Sequence, residues 1–168
     1  MNSRESTAYH EAGHAVAAVV VGHDTVSPRL HSDGGGQCSD FPTKRLTNAI
    51  TAALTGRARY DAAEAVNEMA ICFAGGIAQV AASPRPGAGP SSTDVELIKA
   101  EALKHGGAAA CLIDLAADKA RAIVREHWPA IRRVALALME RSELQDDEVR
   151  AIMRECSRTV VIPVTLTP

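Results

Sequence analysis

Two histidines four residues apart, His10 and His14, with Glu11 between them, narrow most sharply what this chain can become. On an α-helix, residues at i and i+4 stand ~40° apart around the axis and about 6 Å apart along it. Both imidazoles can then reach one metal ion from one face. Glu11, one residue along, sits beside that ion without having to bind it. Two neutral nitrogen ligands and a neighbouring carboxylate are what a zinc hydrolase needs to hold and deprotonate a water molecule. The same spacing on a solvated helix face would carry no chemistry. Here the surrounding positions are apolar: Tyr9, Ala12, Val16 and Val20 recur at spacings of three and four, which predicts a helix over 3–21 with Gly22 as a left-handed cap.

Such a helix needs others to enclose it, and the composition supplies them. The chain has 31 alanines and only 3% aromatic residues, which favours helices over a β-sandwich or barrel. At 168 residues, 46% of them hydrophobic, it has room for one core and one domain spanning 1–168. With 18 basic and 20 acidic residues there is no basic field to hold a nucleic-acid backbone, so no nucleic-acid partner is expected. Cys38, Cys72, Cys111 and Cys156 are isolated and read as small buried hydrophobes in a reducing compartment. The longest near-continuous apolar run, Ala15 to Val21, is far below the ~20 residues of a membrane span. It also lacks the form of a signal peptide. The expectation is a soluble, cytoplasmic protein.

Further along, 23–43 changes character. A loosely alternating stretch, Thr25 to His31, is followed by a turn at Asp33-Gly34-Gly35-Gly36, predicting a small β-ribbon in which Pro28 suits an edge strand. A helix is predicted for 45–60, then two more, 61–74 and 76–82, broken at Gly75-Gly76. The 83–90 segment is a loop by its proline and glycine content. Thr93 is placed as the cap of the next helix, with Glu96 completing a capping box. Helices follow over 109–127, after Pro129, and over 145–156, and the 159–168 tail is apolar and β-prone.

A catalytic zinc takes a third protein ligand. A third histidine six residues after the second is excluded, because Val20 stands there and Ala17 replaces the intervening glycine. Glu64, Glu68 and Asp94 remain as candidates. The HEAGHA segment, residues 10–15, resembles the M41 peptidases, the protease domain of the FtsH-type ATP-dependent metalloproteases. Residues 73–78 (FAGGIA) resemble that family's double-glycine helix junction. Residues 86–95 (PGAGPSSTDV) resemble the segment bearing its third zinc ligand, and 120–140 and 144–152 its closing helices.

The resemblance implies a mainly α-helical domain with a small β-ribbon, Zn²⁺ held by His10, His14 and Asp94, and Glu11 as the catalytic base in peptide-bond hydrolysis. It selects Asp94 over Glu64 and Glu68, which read as solvated helix positions. The family's charged residues after the double glycine are replaced by Ile77, Val80 and Ala81, and the asparagine before the third ligand by Thr93. There is no GxxxxGK[ST] phosphate cradle, so polypeptide substrates are expected to be unfolded chains or peptides. A separate AAA ATPase would be the partner for folded ones, and the resemblance also implies a homo-oligomer. The competing reading is a non-catalytic module of the same fold that keeps the metal for stability, with His31 as a fourth ligand. His23, His105 and His127 read as structural or surface residues. The ribbon's edge offers extended peptide a place to add as a strand, and the 83–92 loop would border the cleft.

Overall fold

The computed structural model describes residues 3–41, 61–84 and 88–158. Within them the chain forms α1 (Ser3–Val21), β1 (Thr25–Leu30), β2 (Gly36–Phe41), α2 (Ala62–Ala82), α3 (Ser92–Leu103), a short 3-10 turn (Gly106–Ala108), α4 (Ala109–Glu126), α5 (Trp128–Arg141) and α6 (Asp146–Arg158). The expected class, mainly helical with a small β-ribbon after the first helix, is the one found. The helix predicted over 45–60 and the 159–168 tail lie outside the described residues.

Alanine sets the packing. α1 buries Ala8, Ala12, Ala15, Val16, Ala17 and Ala18, and α2 buries Ala65, Met69, Ala70, Ile71, Ala74 and Ala78. Small side chains let two helix backbones approach at the short end of the usual 8–10 Å range. Gly13 goes further: a Cβ there would lie 2.5 Å from the Ala74 carbonyl oxygen. The bulk of the core comes from Met69, Ile131, Leu138, Leu144 and Val134, all fully buried. Tyr9 of α1 stacks on Trp128 at the start of α5, with ring centroids 5.7 Å apart. By length and composition α2 is apolar enough to cross a membrane. Most of its large apolar residues pack into or against this core, while Val80 is exposed.

Gly75 and Gly76 do not break α2, which runs unbroken through both. They are sites of close approach. A Cβ on Gly75 would press into the His14 imidazole, and one on Gly76 into the backbone of Gly89 and Pro90. Gly22, by contrast, ends α1 with φ +91°, as its left-handed cap requires.

The ribbon is an antiparallel pair in which Thr25 faces Phe41 and Leu30 faces Gly36. Pro28 does not occupy an outer edge. Leu30 N donates to Ser142 O and Leu144 N to Pro28 O, so β1 lies between β2 and the 142–144 segment. Proline is tolerated there because the bonds use its carbonyl and bypass its missing N–H. Among the described residues the sheet has two strands, which leaves β2 as its edge.

The cysteines are less buried than expected. Cys111 is exposed and Cys38, Cys72 and Cys156 are half-buried. Two of them, Cys38 and Cys72, line the cavity described next.

Candidate metal centre

α1 presents His10, Glu11 and His14 to the interior, 9%, 5% and 8% exposed. Burying three polar side chains within two turns is costly unless each finds a partner. Asp94, 6% exposed, comes to them from the first turn of α3. His10 Nε2 lies 3.1 Å from Asp94 Oδ2, and His14 Nε2 lies 3.4 Å from Asp94 Oδ1. The two imidazoles meet edge to face, centroids 4.6 Å apart. Four tetrahedral ligands at zinc's usual bond lengths are separated from one another by about 3.3 Å, so these N···O spacings suit a shared ion.

The other ring nitrogens also have acceptors. His14 Nδ1 donates to the Ile71 carbonyl at 2.8 Å, an oxygen that can only accept. His10 Nδ1 meets Gln79 Oε1 at 3.4 Å. In the tautomer with protons on both Nδ1 atoms, the one a shared metal would select, each neutral ring directs its Nε2 lone pair at the Asp94 carboxylate. Acceptors facing acceptors at this range need a cation or a proton between them. The donor set, two imidazole nitrogens and one carboxylate, is the type that binds zinc in hydrolytic sites. It is also the one cluster of three or more potential metal ligands among the described residues. Glu11 stands outside it.

The charges follow from this crowding. Burial opposes a charge on His10, but its hydrogen bond to Asp94 and the nearby Glu11 and Asp94 carboxylates outweigh that and raise its pKa. Burial also works against ionised Asp94, yet the His10 hydrogen bond, the His14 ring and Ser91 hold its carboxyl below the usual range. Glu11 has no comparable compensation. Burial, aided by Asp94 and only partly offset by His10, pushes it up to about 7.

Asp94 is held by a cap other than the one expected. Ser91, not Thr93, precedes the helix. Its hydroxyl accepts from Asp94 N at 3.1 Å, and its own N–H donates to Asp94 Oδ2 at 2.7 Å. The box is therefore Ser91/Asp94 and not Thr93/Glu96. The sequence admits both registers. The one found places the carboxylate inward, whereas Glu96 is exposed and pairs with Lys99.

A cavity of about 720 Å³ opens over these residues, walled by α1, β2, α2 and α3. On one side Gly36 brings β2 against Glu11: a Cβ there would lie 2.7 Å from Glu11 Oε1. Leu97 and Met69 give the opposite wall an apolar character. His31 lines the cavity without joining the ligand cluster. Glu68 is not solvated as expected. It also borders the cavity and receives buried His23 Nε2 at 3.2 Å. Glu64 is half-buried at the start of α2, and His105 and His127 flank α4 away from the cluster. The loop before Asp94 reaches the site through Gly89 N, 3.5 Å from Gln79 Oε1.

Sequence reasoning passed over the supports. Ile71 acts through its carbonyl, which no side-chain pattern reveals. Gln79 had a signal: it is the single amide or charged side chain in the run from Met69 to Ala82. No protein-family model matches the chain, and no curated protein matches it.

Proposed function

We propose that this protein is a zinc-dependent peptidase that hydrolyses peptide bonds in unfolded chains or peptides, the activity implied by its resemblance to the M41 peptidases. One observation carries the reading: His10, His14 and Asp94 each bring one ligand atom within 4.8 Å of the others, in a cavity that the buried Glu11 also lines. His10, His14 and Asp94 would hold the ion. Bound there, zinc supplies Lewis acidity toward a water molecule and a scissile carbonyl.

The chain's own groups do the rest. Glu11 accepts the proton that the attacking water loses and delivers it to the leaving amide nitrogen, which departs as an amine. Gly36 keeps the β2 backbone close to that carboxylate. An extended peptide laid along the β2 edge would pass over it, with main-chain hydrogen bonds giving affinity without sequence preference. Folded substrates would need unfolding by a separate ATPase.

The non-catalytic reading has less support. A purely structural zinc site takes four protein ligands. Among the described residues the cluster has three, with His31 outside it.

The test is hydrolysis of casein by the zinc-loaded protein. Glu11→Gln is expected to lower the rate by about 10²–10⁴-fold while leaving zinc bound. Cutting that persists in that variant would sink the mechanism.

A further inference from the structure

We propose that Gln79 is a positioning residue that ties the metal ligand on α1 to the loop carrying the ligand on α3. The proposal rests on the metal reading above. Gln79 Nε2 donates to Ser6 Oγ at 2.8 Å, which orients the amide. Its Oε1 then faces two donors, His10 Nδ1 at 3.4 Å and Gly89 N at 3.5 Å. Beyond Gly89 the chain passes through Pro90, seated on Gly76, to Ser91, whose N–H donates to Asp94 Oδ2. Asp94 Oδ2 in turn meets His10 Nε2. The path closes on itself: His10, Gln79, Gly89, Ser91, Asp94, His10.

Two consequences follow. An amide oxygen only accepts, so with a metal on Nε2 the proton that His10 then carries on Nδ1 finds its acceptor in Gln79. In addition, a displacement of the 88–90 segment reaches two ligands together, His10 through Gln79 and Asp94 through Ser91. Substrate or partner contact with that loop would thereby act on the metal geometry.

The test uses the full chain, zinc competition against a chromophoric chelator, and NMR hydrogen exchange of the Gly89 amide. Gln79→Met fills the space but accepts no hydrogen bond. It is expected to weaken zinc binding about tenfold or more and, in metal-free protein, to speed exchange of the Gly89 amide, which loses its acceptor. Gln79→Glu retains an acceptor for both donors and is expected to bind zinc within about threefold of the wild type. Should the Met variant not fold, Ser6→Ala releases the amide and is expected to show the same faster Gly89 exchange with a smaller loss of affinity. Wild-type affinity together with unchanged Gly89 exchange in Gln79→Met overturns the proposal. A wild type that takes up no zinc defeats the metal reading, and Gly89 exchange in the metal-free Gln79 variants still decides whether Gln79 holds the loop.

Discussion

Glu11 gives the residue scale its clearest consequence. Its carboxyl ionises near 4.5 in an unfolded chain and near 7 in the metal-free fold. Between those values the folded state binds more protons than the unfolded one, so stability falls as pH rises through the window. The full shift corresponds to about 3 kcal/mol. His10 acts in the same direction. Its raised pKa gives stability that is complete below the ordinary 6.5 and is lost as pH rises through the folded value. Asp94, with its lowered pKa, contributes above 3.8 and loses that contribution as pH falls through its folded value. Metal-free protein is therefore expected to melt at a lower temperature at pH 8 than at pH 5. Glu11→Gln should flatten much of that slope, and thermal melts across the range check it. The residues of this cluster were legible because imidazole and carboxylate spacing on a helix is a geometric statement. Their raised and lowered pKa values were not, since those depend on burial and on partners 84 positions away in sequence.

Among the elements, α2 shows where local rules give way to packing. A Gly-Gly pair is a sound reason to end a helix on propensity alone. Here the missing side chains are what allow the His14 ring and the Pro90 backbone to seat against the helix, so tertiary contact outweighs the propensity cost. Gly75→Ala is expected to displace His14, weaken zinc binding and cost about 1–3 kcal/mol by overpacking. Gly107→Ala, with nothing within 4 Å of the added carbon, should stay within about 0.5 kcal/mol in denaturant titrations. The start of α3 was misread for a related reason. S-S-T-D-V-E offers two overlapping capping boxes, and the choice between Ser91 and Thr93 rests on where Asp94 must point. Ser91→Ala removes the hydroxyl that caps Asp94 N and is expected to cost about 1 kcal/mol. Zinc affinity should fall with it, because the Asp94 carboxylate then loses the turn that orients it. Thr93→Ala, which leaves the Ser91/Asp94 box intact, should do neither. Chelator competition on the two variants separates the registers.

At the scale of the whole molecule, the metal would join elements that lie 84 residues apart in sequence. His10 and His14 belong to α1, which is buried against α2, while Asp94 sits on α3, where only Asp94, Ile98 and Ala102 are buried. α3 is thus the lightly anchored wall of the cleft, and Leu97 and Leu103 on it remain exposed. A ligand that binds only the folded state stabilises it by about 4 kcal/mol at a thousandfold excess over its dissociation constant. For a chain of this size that amounts to roughly 8–16 °C in melting temperature. Zinc is therefore expected to raise the melting point by about that much and a chelator to remove the gain. Hydrogen exchange should locate the added protection in α3 and the 88–91 segment more than in α1 and α2, which the alanine core already holds. Asp94→Ala should lose most of the gain in both measurements. Its metal-free melt should itself fall below that of the wild type, because the substitution removes the carboxylate that pairs with His10 and accepts from Ser91 N, so the zinc shift is read against each variant's own metal-free melt. A zinc-induced shift that survives Asp94→Ala undiminished would place the ion elsewhere. The same result would remove the link between the α3 wall and the two histidines on which the cleft's chemistry depends.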